Sequence, residues 1–387
     1  MAGRAYCGAV EPFQIEVPDA VLDDLSARLA RSRVPSPPVP DGGEEPGTLR
    51  RIEELLAFWR DGYDWRAQER RLAAVPHYRA RVDGVGLHAI HVPGTGPDPL
   101  PLLLTNGWPS SFVEYLGVLG PLADPAAHGG RPEDSFSVVV PALPGYGFSD
   151  AALDRPVDRF SIAALFDRLM VEHLGYRGYV AHGDDIGGGV VNRLGMRHGG
   201  TVRAIQTANW MNPVLGPDAA PLTDDERAYL DGDAQWGRTE GAYAHVQATR
   251  PQILGYALND SPAGLAAWIL EKWLTWSDPA TRPRLSTEDL LTNVTLYWVT
   301  QTIASSARLY APATARLVPG DAVTVPASVL APHEPRLPIP PESWLRRGYP
   351  NMTRFVRLDR GGHFLALESP ERFVAEIREA FRPYRTR

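Results

Sequence analysis

The segment HGDDIGGG, residues 182–189, places two aspartates between glycines where an apolar run meets a helical pattern. A nucleophile on a sharp strand-to-helix turn needs small residues two positions before and after it, because the backbone there is strained. Gly183 and Gly187 have that spacing around Asp185. Centring the pattern on Asp184 would put larger residues at the glycine positions. The spacing predicts a nucleophilic carboxylate, which the N–H groups of the following helix would keep ionised; a glycine-rich helix cap is the structural alternative.

Two residues that could complete a triad follow apolar runs near the end of the chain. Glu334 comes just after VTVPASVL, and His363 comes just after MTRFVRL. Carboxyl ends of parallel strands meet at one edge of a sheet, where such folds bind ligands. The order nucleophile, acid, histidine is that of a triad on this kind of sheet. Asp321 and Asp359 are competing acids, but Asp321 precedes its strand and Asp359 is crowded against the histidine turn.

An aspartate nucleophile would attack sp³ carbon and form an alkyl ester, which a histidine-activated water then hydrolyses. The chain has no Gly-x-Ser-x-Gly motif, which argues against a serine esterase. Epoxides and alkyl halides are the substrates that suit this chemistry. The two substrates differ in what the leaving atom requires. An epoxide oxygen needs proton donors, whereas a halide needs a cradle of N–H groups.

Strand and helix patterns alternate along most of the chain, from VPHYRARV to the C-terminal helix PERFVAEIREAFR. This alternation predicts an α/β fold with a mostly parallel sheet flanked by helices. The segment EVPDAVLDDLSARLARSR has helical spacing, with Asp19 as a candidate cap. From about 213 to 315 the strand signal disappears. We expect an N-terminal helical extension at 1–75, a core at 76–212 and 316–387, and an α-helical cap at 213–315.

Composition limits the class of protein and its partners. The 387 residues are 44% hydrophobic and 22% charged, which is typical of a soluble globular protein. A net charge of −7 argues against nucleic acid or an anionic membrane as the main partner. The single cysteine, Cys7, excludes an internal disulfide and fits a reducing compartment. With no apolar signal segment visible, we expect a cytoplasmic protein. The most apolar helix candidate, GLAAWILEKWL, is interrupted by Glu271 and Lys272 and is not expected to span a bilayer.

Several long stretches carry a family resemblance. They are EPFQIEVPDAVLDDLSARLARSR near the start, NGWPSSFVEYLG, the helical stretches EGAYAHVQATRP, ALNDSPAGLAAWILEKWLTW and LLTNVTLYWVTQTIASSARLY, and RGGHFLALESPE. They resemble the N-terminal segment, the HGWPGS loop, the cap and the histidine loop of the α/β-hydrolase-fold epoxide hydrolases, in the microsomal and juvenile-hormone branch. The resemblance covers nearly the whole chain, and its motifs are long and specific.

The resemblance implies roles for five side chains. Asp185 would be the nucleophile, His363 the base and Glu334 the partner of the base. Tyr243, in EGAYAHVQ, and Tyr310, in SSARLY, would be the acid pair of the cap. A phenol suits that role because it can donate a hydrogen bond to the epoxide oxygen and protonate the leaving alkoxide.

The resemblance further implies an oxyanion hole formed by the backbone N–H groups of Trp108 and Ile186. Three positions depart from the family pattern. Asn106 stands where the HGWP motif has histidine, Ile186 where tryptophan usually follows the nucleophile, and Asp184 where glycine is usual. If Asp184 faced the pocket, repulsion between the two carboxylates would raise the pKa of one of them.

The implied reaction converts an epoxide to a vicinal diol without a metal or organic cofactor. The expected partners are a small-molecule epoxide and water, with no nucleic acid and no membrane, in a monomer or a homo-oligomer. No segment like the membrane anchor of the animal relatives is visible, so we expect the chain to resemble the soluble bacterial members, some of which act on epoxides, including aryl-substituted ones, in antibiotic biosynthesis. The tryptophans of the cap suggest an apolar ligand.

Two alternatives remain at this stage. A haloalkane dehalogenase would have a halide-binding Trp or Asn beside the nucleophile, where this chain has Ile186. A non-catalytic binding protein would have lost a member of the triad, whereas all three are present.

Overall fold

The structure is a computed structural model of the chain. It describes residues 10–35, 47–152, 154, 157–311 and 316–385. Cys7, on which the expectation of a reducing compartment depends, lies outside these ranges.

Nine strands within the described residues form one sheet in the order β1-β2-β3-β5-β4-β6-β7-β8-β9. The strands are β1 Val10–Pro12, β2 His77–Val82, β3 Val85–Val92, β4 Leu100–Thr105, β5 Phe136–Pro141, β6 Tyr179–Gly183, β7 Val202–Thr207, β8 Ala327–Ala331 and β9 Met352–Arg357. The pairs β1–β2, β2–β3 and β3–β5 are antiparallel. The pairs β5–β4, β4–β6, β6–β7, β7–β8 and β8–β9 are parallel. The prediction of a mostly parallel α/β sheet is therefore confirmed.

Helices surround the sheet and fill the segment between β7 and β8. Within the described ranges they are α1 Asp19–Ala30, α2 Thr48–Asp61, α3 Trp65–Ala73, α4 Leu116–Ala123, α5 Arg159–Arg168, α6 Asp185–Arg197, α7 Asp224–Thr239, α8 Ala242–Thr249, α9 Pro251–Leu258, α10 Pro262–Trp276, α11 Thr287–Thr300, α12 Ile303–Ala307, α13 Glu342–Gly348, α14 Leu365–Glu368 and α15 Pro370–Phe381. The described residues between β7 and β8 contain no strand, so we call α7–α12 the helical insertion.

The core lies on both faces of the sheet. Successive side chains of a strand point to opposite faces, and β4 and β6 are buried on both. Leu103 and Ala181 belong to one apolar cluster, while Leu102, Leu104 and Val180 belong to the other. Continuous apolar sequence is therefore required in these central strands, as in parallel sheets covered by helices on both sides.

Two local predictions differ from the structure. Strand β8 begins at Ala327 and not at 323, because Pro326 has no N–H to donate to a neighbouring strand. Asp19 is the first residue of α1 and does not cap it; Pro18 occupies the cap position without a side-chain hydrogen bond. The carboxylate of Asp19 instead pairs with Arg66 in α3.

The N-terminal helices contact the helical insertion directly. Arg71 of α3 pairs with Asp289 of α11 at 2.6 Å, and the Tyr63 hydroxyl lies 3.0 Å from the hydroxyl of Thr292. Arg28 of α1 reaches Asp260 at 2.6 Å, just before α10. Across the ranges that the structure covers, no helix has the length and apolarity that crossing a bilayer requires.

The packing between α6 and β4 leads to a prediction about stability. A Cβ added at Gly187, in the first turn of α6, would lie 2.1 Å from the carbonyl oxygen of Thr105. We expect Gly187→Ala to reduce the free energy of unfolding by about 1–3 kcal/mol, because either the helix or the strand end must shift. Urea denaturation of the purified variant measures the change.

Gly117→Ala in α4 is the matched control, since a Cβ there meets nothing within 4 Å. The helix propensity of alanine should leave this variant as stable as the wild type or more stable. Equal destabilisation by both substitutions would contradict the steric explanation.

Candidate active site

Strand β6 passes into helix α6 through a turn that holds Asp185. Asp185 has a φ of 45°, in the left-handed region that non-glycine residues rarely adopt. Such a conformation costs on the order of 1–3 kcal/mol and persists only where the surroundings impose it. A Cβ at Gly183 would lie 2.5 Å from the Gly187 carbonyl group, and Gly187 itself packs on β4. Steric crowding on both sides of the turn therefore explains the Gly-x-Asp-x-Gly spacing.

Two backbone N–H groups hold the Asp185 carboxylate. Its Oδ1 atom accepts hydrogen bonds from Trp108 N at 3.0 Å and from Ile186 N at 2.6 Å. These are the two groups that the sequence predicted as an oxyanion hole. A Cβ at Gly107 would lie 2.1 Å from Oδ1, so only glycine allows the Trp108 loop to approach this closely. The second carboxylate oxygen, Oδ2, is left to face the histidine.

The predicted histidine and its acid lie beside the turn. His363 Nε2 is 3.8 Å from Asp185 Oδ2, and His363 Nδ1 is 2.7 Å from Glu334 Oε2. Burial lowers the pKa of His363, but the negative charges of Glu334 and Asp185 outweigh burial and raise it to about 10. Of the competing acids, Asp321 binds Arg197 at 2.6 Å and Asp359 is exposed to solvent.

A second set of acids, which the sequence analysis missed, fixes the loop that carries His363. The buried carboxylate of Glu368 accepts hydrogen bonds from the backbone N–H groups of Gly362, Phe364 and Asp278. Asp278, two residues after α10, accepts one from Gly361 N at 2.9 Å. The histidine loop is thereby tied to the end of α10. The sequence contained one indication of this role: in HFLALE, Glu368 follows the histidine by five residues and is preceded by apolar residues, which is typical of a buried acid.

The two predicted tyrosines lie above the Trp108 loop. Tyr243 in α8 stacks on the Trp108 ring at 5.4 Å, and the Tyr310 ring is 5.7 Å from that of Tyr243. The Tyr310 hydroxyl is buried and has no described partner at ideal hydrogen-bond geometry, but the Tyr243 hydroxyl lies close enough to interact with it. Burial, with the charge of Asp185 second, raises the pKa of both phenols. They therefore remain protonated and able to donate.

Two other buried phenols near the site already have hydrogen bonds. Tyr297 donates to the carbonyl oxygen of Ser110 at 2.9 Å, and Tyr146 donates to that of Ser306 at 3.3 Å. These contacts separate them from Tyr243 and Tyr310. Lys272, another residue that the sequence analysis did not place in the site, lies 4.8 Å from the centre of the Tyr243 ring.

The helical insertion also holds the Trp108 loop. Asn293 of α11 donates to the Pro109 carbonyl oxygen at 2.7 Å, and Trp273 of α10 donates to the same oxygen at 3.4 Å. Asn106, the residue that replaces the family's histidine, is buried and donates to the Gly107 carbonyl oxygen at 3.0 Å. The loop thus has hydrogen bonds of its own at the position where the sequence departs from the pattern.

Asp184 lies behind the nucleophile and does not line the cavity. It is buried, and its Oδ2 atom accepts a hydrogen bond from the Tyr115 hydroxyl at 2.8 Å. Burial raises the pKa of Asp184 to about 7, with the charge of Asp185 adding to the effect. Nearby, Glu114 accepts a hydrogen bond from the Ser110 hydroxyl at 2.5 Å. The second carboxylate of HGDDIGGG therefore points away from a bound ligand.

One cavity of about 250 Å³ connects the predicted groups. Its walls include the side chains of Asp185, Glu334, His363, Tyr243 and Tyr310. The remaining apolar wall is formed by Ile186, Trp210, Trp236, Trp276 and Leu337. A carboxylate, an imidazole and two phenols thus converge on a small, partly aromatic space.

Known protein families and structures match most of this chain. The family model for the epoxide hydrolase N terminus matches residues 10–115, and that for the alpha/beta hydrolase fold matches residues 101–370. A Stigmatella aurantiaca protein, named provisionally as an epoxide hydrolase, is 39% identical over 98% of this chain and 86% of its own length. Epoxide hydrolase 1 of Oryctolagus cuniculus is 32% identical over 95% of this chain and 88% of its own.

Among solved structures, the juvenile hormone epoxide hydrolase of the silkworm Bombyx mori superimposes with a TM-score of 0.84 at 27% identity. The match covers 98% of this chain and 95% of the silkworm chain. The same fold therefore extends over the N-terminal helices, the sheet and the helical insertion alike. By sequence and by fold, the chain belongs to the epoxide hydrolase family of α/β-hydrolase-fold proteins.

Proposed function

We propose that this chain hydrolyses an epoxide to a vicinal diol through a covalent ester on Asp185. The observation that carries the proposal is the arrangement around that carboxylate. Two N–H groups hold Oδ1, His363 faces Oδ2 at 3.8 Å, and the neighbouring phenols of Tyr243 and Tyr310 border the same cavity. Family membership supports the same reaction.

In the first step, Asp185 Oδ2 attacks one ring carbon of the epoxide. A bond forms between the carboxylate oxygen and carbon, and the bond between that carbon and the epoxide oxygen breaks. Tyr243 and Tyr310 donate hydrogen bonds to that oxygen, and one phenol transfers its proton to the developing alkoxide. The raised pKa of both phenols keeps this proton in place until negative charge develops on the substrate.

In the second step, His363 removes a proton from water, and the resulting hydroxide adds to the ester carbonyl carbon. The N–H groups of Trp108 and Ile186 stabilise the oxyanion. Esterification has removed the charge of Asp185, which is one of the charges that raise the pKa of His363. That pKa therefore falls when the base is needed, while Glu334 continues to orient Nδ1. The acyl–oxygen bond breaks, and the protons held by the His363 imidazolium and the new carboxyl group pass to the leaving alkoxide and to the phenolate. This releases the diol and restores Asp185, His363 and the tyrosine.

The surroundings of Asp185 favour an epoxide over an alkyl halide. A leaving halide needs N–H donors, and the two N–H groups beside the nucleophile are already bonded to its own carboxylate. The phenols of Tyr243 and Tyr310 border the same cavity, and their hydroxyls suit a leaving oxygen. Residue 186 is aliphatic and supplies no indole N–H.

The proposal extends to the organisation of the chain and the class of substrate. Residues 213–315 would act as the cap and 1–75 as an extension that packs on the cap and the core. Trp210, Trp236 and Trp276 line the cavity, which supports an apolar or aryl-substituted epoxide. The similarity to a Stigmatella aurantiaca relative supports a bacterial enzyme. A cytoplasmic location and a role in antibiotic biosynthesis complete the proposal and follow from the sequence and its family resemblance alone.

Replacement of the base should trap the ester. We expect His363→Ala to be alkylated by styrene oxide but unable to hydrolyse the product, because different residues carry out the two steps. Intact-mass spectrometry should show one substrate added per chain. His363→Ala combined with Asp185→Asn is the control and should show none. An inactive His363→Ala that binds substrate but gains no mass would contradict the two-step scheme.

Removal of one phenolic hydroxyl should slow ring opening. Loss of one donor to a developing oxyanion costs on the order of 3 kcal/mol, or about 100-fold in rate. We expect that loss in each of Tyr243→Phe and Tyr310→Phe under single-turnover conditions, and nearly complete loss in the double variant. Tyr256→Phe, on the exposed side of α9 at 74% exposure, is the control. A double variant with nearly wild-type ring opening would remove the tyrosines from the mechanism.

Isotope labelling distinguishes attack by Asp185 from direct attack by water. In a single turnover in ¹⁸O-water with enzyme in excess, the diol should be mainly unlabelled, because its new oxygen comes from the carboxylate. The label should appear in the peptide that contains Asp184 and Asp185. Asp185→Asn should abolish the reaction, whereas Asp184→Asn should retain it, since the amide can still accept from Tyr115. A fully labelled first diol would establish direct attack by water.

A further inference from the structure

One positively charged side chain lines the catalytic cavity and takes no part in the mechanism above. Arg159 is the first residue of α5, is half-buried, and forms part of the same cavity wall as Asp185, Asn209 and Trp210. Within the ranges that the structure covers, its guanidinium group makes no hydrogen bond and no ion pair. A half-buried cation in a cavity wall has given up part of its hydration, and an anionic group on a bound ligand would have this guanidinium available to pair with.

The acidic side chains that line the cavity have partners other than Arg159. Asp185 and Glu334 both face His363. Asp233 accepts a hydrogen bond from Asn212 at 3.4 Å, and burial raises its pKa and so disfavours its charged form. Arg159 is therefore the cation of this cavity whose charge no described carboxylate balances through a direct contact.

The nucleophile helix is shaped to accommodate this arginine. A Cβ at Gly189 in α6 would lie 2.6 Å from Cδ and Nε of Arg159. Only a residue without a side chain therefore lets the arginine stem lie against the helix, four residues after Asp185. The arginine stem therefore lies against the backbone of α6, and no salt bridge with a described residue holds the guanidinium.

A second arginine adds positive potential at the same place. Arg193, one turn further along α6, has a buried Nε with no hydrogen-bond partner among the described residues. Burial lowers the pKa of Arg193 to about 10, and the charge of Arg159 contributes in the same direction. The positive charges of Arg159 and Arg193 repel each other, so an anion bound in the cavity beside Arg159 would stabilise both charges.

We propose that Arg159 is a subsite for a carboxylate group carried by the substrate, remote from the epoxide ring. This inference rests on the proposed function and narrows it to aryl epoxides that bear a carboxylate. A guanidinium group binds a carboxylate through two parallel N–H···O hydrogen bonds, which fixes orientation as well as affinity. The tryptophans would contact the aryl ring, and the arginine would set which end of the molecule points outward.

The test compares 4-carboxystyrene oxide with styrene oxide, which differ in the carboxylate. For each protein, the ratio of kcat/KM for the two substrates is measured. We expect Arg159→Gln to lower this ratio by about 10- to 100-fold, since a hydrogen bond to a charged group contributes about 1.5–3 kcal/mol. Raising the salt concentration should lower the ratio for the wild type and have little effect on the variant.

Two further variants test the interpretation. Arg168→Gln, at the other end of α5, removes an arginine that binds Asp83 outside the cavity, and should keep the wild-type ratio. Arg159→Lys should give an intermediate ratio, because it retains the charge but loses the paired donors. A ratio in Arg159→Gln within twofold of the wild type would overturn the proposal, as would an equal fall in Arg168→Gln.

A binding measurement separates this proposal from the proposed function. Calorimetry with 4-(1,2-dihydroxyethyl)benzoate, the diol product, requires no turnover. If the wild type hydrolysed neither epoxide, the proposed function would fail. The subsite would still be supported by a Kd at least tenfold weaker in Arg159→Gln than in the wild type and in Arg168→Gln. Equal dissociation constants in all three proteins would overturn it.

Discussion

The conformation of Asp185 is the constraint on which the rest of the site depends. A carboxylate on a left-handed residue, φ 45°, is held only because β4, β6 and α6 converge on it within van der Waals distance. The Gly107 and Gly187 contacts, at 2.1 Å from an added Cβ, show how little space remains. In return, one carboxylate oxygen meets two N–H donors, and the other is directed into the cavity. Backbone sterics, more than any side-chain interaction, aim the nucleophile.

The two loops that complete the site are both anchored to the helical insertion. Asn293 and Trp273 hold the carbonyl group of Pro109, and the Asp278 and Glu368 carboxylates hold the backbone around His363. The oxyanion donors and the base are therefore positioned by elements that also carry or adjoin the tyrosines. A change in how α10 and α11 sit would move the donors and the base together, which links the geometry of the core to that of the insertion.

The acids of the site differ in their burial and in their hydrogen-bond partners. Asp185 has N–H donors and a histidine; Asp184, its neighbour in sequence, is buried against Tyr115. Burial raises the pKa of Asp184 to about 7, so at neutral pH a proton occupies part of the population. The charges of Glu334 and Asp185 raise the pKa of His363 to about 10, and the charge of Asp184 adds a smaller contribution in the same direction.

The sequence by itself determined the parts that local chemistry controls. The period of apolar residues indicated the alternation of strands and helices, and the glycine spacing in HGDDIGGG indicated Asp185, because both signals are contained in short stretches of sequence. Only the tertiary structure decided which acid meets His363, which of the described tyrosines border the cavity, where Asp184 points, and that Arg159 reaches the cavity. Those facts depend on distances between residues far apart in the chain. Packing of whole elements sets these distances, and no local pattern encodes them.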